Sequence, residues 1–244
     1  MGININDLEF FPIQRIEYER WFQSIKPNGF IPNQEQREEI VSIINERIMI
    51  NSEGLLLLHD CCQKLDEEDS DYLHIKQTIY AALLYILQTT TDCMVATKFL
   101  LLADQDYDKR YARGKLKVIM NEGFKKLYGF SAPGGTDTYW GKLSSIMQFF
   151  PKFSSDFHKI SVLLDEQSRT SSWWKHERDL EVHLDPIELY NSRQSELNES
   201  EVMIDTMKLI DALGIAEQFV WNLHTTFTNW LNKLYLEHPE YFKE

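Results

Sequence analysis

The chain has 244 residues, 43% of them hydrophobic, and a formal net charge of −13. That is enough apolar material for a folded core, and the acidic balance excludes a general binder of nucleic acid or of anionic membrane surfaces, so any basic site must be local. Ten Gly and seven Pro are too few turn formers for a sandwich or barrel, and Cys61, Cys62 and Cys93 lack the CxxC spacing of a zinc site or a disulfide framework.

The first residues, MGININDLEF, carry no basic stretch followed by an apolar one. We therefore expect no signal peptide and a cytoplasmic protein with reduced thiols. At Asn33, NQEQREEIVSIINERIMI begins with Asn and has Gln36 three residues on, the pattern of a capping box. Ile40, Ile43, Ile44 and Ile48 recur at helical spacing, which predicts a helix over 34–50. GLLLLHDCCQKL predicts a second, short helix, closed by the acidic turn DEEDSD at 66–71. We assign residues 1–65 to accessory N-terminal helices and 66–244 to the main helical bundle.

Residues 71–103 predict one long helix or two nearly collinear ones, with Thr89, Thr90 and Thr91 as the place for a bend. The longest uncharged run, between Lys76 and Asp92, is fifteen residues. A membrane span needs roughly 20, so this is expected to be a core helix, with no membrane partner. DYDKRYARGKLKVIMNEGFKKLYGF predicts the next helix, ending near Gly129 before the breaker SAPGG. Helices over 137–150 and 155–168 follow, divided by Pro151. Another is expected to start at the serines of SSWWKHERDLEVHL and to stop before Pro186. An irregular polar stretch, 185–200, leads to a last helix capped by Asn198 and Glu201. That helix carries Met203, Met207, Ile210, Leu213, Val220, Leu223, Phe227 and Leu234 on one stripe. No strand pattern, repeat or low-complexity segment occurs. The fold class is all-α, an antiparallel helical bundle.

Within the penultimate segment stands RDLEVH. Arg178 and His183 are five residues apart, about 140° around a helix. Asp179 and His183, four apart, stack on one face, and His176 shares it. Histidine supplies a base near neutral pH, and the guanidinium fork suits a phosphate. The plain alternative is an exposed helix on which Glu177, Arg178 and Glu181 make surface ion pairs. This arrangement, an R-polar-x3-H motif late in an all-helical chain before a long final helix, resembles the HEPN superfamily of prokaryotic toxin and defence proteins over about 70–238. The resemblance implies a metal-independent endoribonuclease whose two motifs meet in the cleft of a homodimer. It also implies RNA as substrate and an antitoxin or other protein as partner. Arg178 and His183 would be catalytic and Asp179 the polar helper, although the family often has Asn where this chain has Asp179. Some members of the family bind without cleaving.

Between Lys109 and Lys126 lie seven basic residues and one acid, Glu122. Lys109, Arg110, Arg113 and Lys117, with His176, are the candidate substrate-binding residues. Arg110, Arg113 and Lys117 share a helical face, and a basic stripe in an acidic protein is a candidate phosphate-contact surface. The alternative is a solvated face that docks on acidic neighbours such as DEEDSD. His176, Asp179 and His183 could also donate metal ligands, but no second helix offers HxxxH or ExxH spacing, so no metal site is assigned. No P-loop, GxGxxG, GxSxG or HExxH occurs, and no cofactor is expected. The competing function is a non-catalytic helical dimer that binds a protein or a nucleotide through the same surface.

Overall fold

Asn33 opens the first helix as its spacing predicts. Its side-chain oxygen accepts from the Gln36 amide at 2.9 Å, and the Gln36 side chain accepts from the Asn33 amide at 3.0 Å, so two otherwise orphaned donors are satisfied reciprocally. The computed structural model describes residues 33–65, 72–130, 133–173 and 199–238, and the single positions 175, 179, 187 and 190. Among them are α1 (Gln34–Leu65), α2 (Leu73–Leu102), α3 (Asp106–Leu127), α4 (Tyr139–Ile146), α5 (Ser154–Trp173) and α6 (Glu199–Glu237), with 3-10 turns at Met147–Phe149 and Pro151–Phe153. No strand is present among the described residues, and the fold class is all-α.

The helix α1 is continuous where the sequence suggested two helices, and tertiary contacts explain it. NSEG at 51–54 reads as a breaker, but Asn51 is buried and its amide donates to the Thr91 hydroxyl on α2 at 3.1 Å. Gly54 faces Leu87 so closely that a Cβ there would sit 3.1 Å from the leucine Cδ2. The glycine costs helix propensity and in return lets two helices approach. Ile40, Ile44 and Leu58 of α1 belong to the same hydrophobic core as the rest of the chain.

The central helix is α2, on which α1, α3, α4 and α6 all pack. It does not break at its threonines. Thr90 donates to the Ile86 carbonyl at 2.9 Å, Thr91 to Leu87 at 2.7 Å and Thr97 to Cys93 at 2.7 Å, so their hydroxyls are satisfied inside the helix. By length and apolar composition this helix could cross a membrane; 56% of its most apolar window is buried inside the bundle. At Gly123 of α3 an added Cβ would stand 2.5 Å from Thr89 Cγ2, and the Tyr85 hydroxyl donates to the Gly123 carbonyl at 3.0 Å.

The helix α3 ends as predicted, with Gly129 at φ 88° and its amide bonded to the Phe124 carbonyl. Thr138 then caps α4, accepting from the Gly141 amide at 3.0 Å. An aromatic ladder ties the end of the chain to this turn. Trp140 stacks on Phe157 at 4.8 Å, Phe157 and Phe153 reach Phe219 at 5.9 and 6.0 Å, and Phe150 meets Phe227 at 6.0 Å. The serines expected to begin a new helix lie inside α5, which runs on to Trp173. An Asp165–Arg169 ion pair at 3.0 Å bridges the position where that helix was expected to stop. Ile187 and Tyr190 are helical, in the stretch read as irregular. The Asn198 cap lies outside the described residues. On α6 the predicted stripe is buried from Met207 to Leu234, with Met203 half-buried. Leu223 is fully buried, so Leu223→Asp should lower the unfolding free energy by at least about 3 kcal/mol, measured by urea denaturation with loss of helical circular dichroism.

Candidate functional site

The residues of the RDLEVH motif fall between α5 and α6. Arg178, His183 and His176 lie outside the described residues. Asp179 is helical and half-buried.

The basic run of α3 is described, and it divides. Lys109 and Arg110 are half-buried. Arg113 is 9% exposed and Lys117 3%. With Asn121, fully buried, they form a polar stripe at four-residue spacing on the inner side of the helix. The helices packed there carry buried polar groups too: Gln167 and Ser168 on α5, and Asp205 and Thr206 on α6. Thr206 reaches α3 directly, 3.5 Å from the Met120 sulfur. Burial thus takes Arg113 and Lys117 off any phosphate-contact surface, because a buried cation is held by partners in the protein. The side chains of α3 left to solvent are Asp106, Tyr107, Asp108, Tyr111, Lys125 and Lys126, with Lys115 half-buried.

A second constellation escaped the sequence reading. Arg47 of α1 meets Glu217 of α6 at 3.3 Å. The Trp221 side chain also favours the charged form of Glu217. Trp221 lies edge-on to His224 at 5.5 Å, and the His224 Nε2 is 3.1 Å from the Tyr80 hydroxyl of α2 and 3.4 Å from that of Thr228. A polar seam therefore runs along α6 between α1 and α2. Its only trace in the sequence is that Glu217, Trp221 and His224 recur at helical spacing. Burial pushes the Glu217 carboxyl above its usual value, an effect Arg47 opposes, and burial pushes the His224 imidazole down. Chemically, the seam offers a neutral imidazole hydrogen-bonded to a phenol, and a carboxylate neutralised by an arginine.

Two other ionisable groups are locked in the core. Burial pushes the Tyr85 hydroxyl up to about 12 and raises the Cys93 thiol as well, so neither ionises near neutrality. Cys61 and Cys62 are half-buried. Among the described residues no three His, Cys, Asp or Glu side chains stand together as a metal-ligand group. No protein-family model, curated protein or solved structure matches the chain.

Two outcomes follow from these geometries. Lys117→Ala should destabilise the protein by on the order of 3 kcal/mol, because it empties the space of a side chain that is 3% exposed; chemical denaturation reads this. The second is a pH dependence. The native His224 resists protonation, so below its ordinary value of 6.5 the unfolded chain binds more protons than the folded one. Its contribution to stability is complete above that pH and is lost as pH falls through the window beneath it. Glu217 acts in the opposite sense. Its native pKa is raised above 4.5, so the folded chain gains stability as pH drops through that raised value. Melting curves should therefore show His224→Gln flattening the decline just below pH 6.5, and Glu217→Gln steepening the decline at lower pH.

Proposed function

We propose that the chain is a metal-independent endoribonuclease of the HEPN type, acting as a homodimer in a toxin–antitoxin or phage-defence setting. The observation that carries this reading is the position of the R-polar-x3-H motif. In an all-α chain it lies on the connection from α5 to the 39-residue final helix α6, the element order of the resemblance. Asp179, helical and half-buried, stands four residues before His183, the spacing at which its carboxylate could orient the imidazole.

In this mechanism the 2′-hydroxyl of the RNA is the nucleophile. His183 withdraws its proton and Arg178 holds the phosphate and its developing charge. Asp179 fixes the imidazole. A two-fold axis doubles the Arg–His pair, so that one histidine serves as base and the other as acid. The competing reading, a non-catalytic binding protein, draws support from the outer side of α1. There Ile43, Ile50 and Leu57 recur every seven residues beside Met49 and Leu56, all exposed, a surface suited to a protein partner.

Purified protein should cleave single-stranded RNA in excess EDTA, leaving 2′,3′-cyclic phosphate and 5′-hydroxyl ends, and should leave DNA intact. His183→Ala and Arg178→Ala should each lower the rate about 10²–10⁴-fold. Activity abolished by EDTA and restored by a divalent ion would replace this mechanism with a metal-dependent one. Unchanged activity in His183→Ala would move the site elsewhere. A dimer with no cleavage of RNA would favour the binding protein, and a concentration-independent monomer in the ultracentrifuge would remove the two-motif cleft.

A further inference from the structure

The hairpin of α2 and α3 encloses a groove of about 350 Å³, the size of a small-ligand site. Its floor is made by small buried residues, Ala96 of α2, Ala103 just after that helix and Ala112 of α3. Its walls are the rings of Phe99 and Tyr111, which are 63% and 49% exposed although they line a recess. Tyr107, one helical turn before Tyr111, is 65% exposed. Large aromatic rings held open to water beside a recess are surface that a flat ligand would cover.

The charges on this face are ordered. Asp108 and Lys115 both line the groove, and at 1.5 Å per residue they lie about 10 Å apart along α3, with Tyr111 between them. The Lys115 ammonium lies 5.2 Å from the centre of the Tyr111 ring. Beyond Lys115, about 15 Å further along the helix, stand Lys126, about 20° around the helix from it, and Lys125, about 80° around, both exposed. Acidic groups cluster at the other end, where Asp106 occupies the first turn beside Asp108. The face thus runs from carboxylate through aromatic ring to ammonium, and then to two more cations.

We infer that this groove binds an unpaired nucleotide of single-stranded RNA, with its base stacked on Tyr111 and Phe99 and its phosphate on Lys115. The pairing of charges matches that ligand: a base presents amino donors to a carboxylate at one end, and its phosphate is an anion at the other. The strand then continues along Lys125 and Lys126. Aromatic platforms beside a line of cations are how proteins hold single strands without reading long sequences. The inference rests on the ribonuclease reading for its choice of polymer, and it moves the substrate contact from the buried Arg113 and Lys117 to the outer face of the same helix. A free nucleotide carries the same base and phosphate and is the second source the test distinguishes.

The test is fluorescence anisotropy of the full chain with a labelled, uncleavable 12-nucleotide 2′-O-methyl RNA, with AMP as competitor. Tyr111→Ala and Phe99→Ala should each weaken oligonucleotide binding, by about fivefold to about a hundredfold for one lost stacking contact. Lys115→Gln should reduce the slope of log affinity against log salt by about 0.7. Tyr235→Ala, an exposed tyrosine near the end of α6, should change nothing, and melting curves should show all variants folded. Binding of AMP that depends on Tyr111, without oligonucleotide binding, supports the groove and assigns it to a free nucleotide. Oligonucleotide binding indifferent to both Tyr111→Ala and Phe99→Ala overturns the inference, as does absence of binding by both probes. The two readings fail separately. Cleavage that needs His183, with RNA binding insensitive to the groove, keeps the ribonuclease and removes this site. Tyr111-dependent binding without cleavage does the reverse.

Discussion

The structure depends on covering α2. Thirty residues of a largely apolar helix cannot stand in water, and one amphipathic neighbour covers only one stripe of such a cylinder. Four helices therefore close around it. Three of these contacts are made close by a local device: Gly54 against Leu87, Gly123 against Thr89, and Tyr139 stacked on Tyr85 at 4.4 Å. The hydroxyls of Thr90, Thr91 and Thr97 turn back onto their own helix, and Thr91 also meets Asn51. The helix can then be buried without orphaning its polar groups.

With the middle of the bundle apolar, charged groups are confined to the seams between helices. Arg47 and Glu217 share the seam of α1 and α6, and His224 and Tyr80 that of α6 and α2. Arg113 and Lys117 lie on the inner side of α3, among helices that also bury Gln167, Ser168 and Asp205. Helix packing has taken these cations out of water. One helix is thus divided: its inner basic residues Arg113 and Lys117 are buried, and Tyr107, Tyr111 and the terminal lysines stand exposed on the outside, where the proposed groove draws its contacts. A chain of net charge −13 repels RNA at long range. A short, sided run of cations with aromatic rings is how such a chain would still engage a single strand.

The ribonuclease reading and the groove reading use different parts of the molecule. The Arg–His motif belongs to the connection between α5 and α6, and the groove to the hairpin of α2 and α3. A long substrate could engage both, with chemistry at one place and grip at another. That division suits an enzyme whose reacting groups come from the substrate's own 2′-hydroxyl and from a few side chains, since affinity must then be supplied elsewhere on the surface.

By itself the sequence determined the local features. The Asn33–Gln36 capping box, the stop at Gly129, the long α2 and the buried stripe of α6 were all legible, because capping chemistry and 3.6-residue periodicity are written within one segment. The motif at 178–183 was legible as residue types in order, and only as that. Tertiary structure decided what depends on which helices meet. NSEG at 51–54 stays helical because Asn51 finds Thr91 and Gly54 admits Leu87. Arg113 and Lys117 look like solvent-facing cations in a basic run, yet the packing of α3 on α5 and α6 turns them inward. Glu217 and His224 acquire shifted protonation only because the helices packed on α6 bury them, and their partners Arg47 and Tyr80 lie 170 and 144 residues away in sequence. A periodic pattern tells which residues share a face of one helix. It carries no information about what that face will touch, and burial, pairing and pKa are properties of that contact.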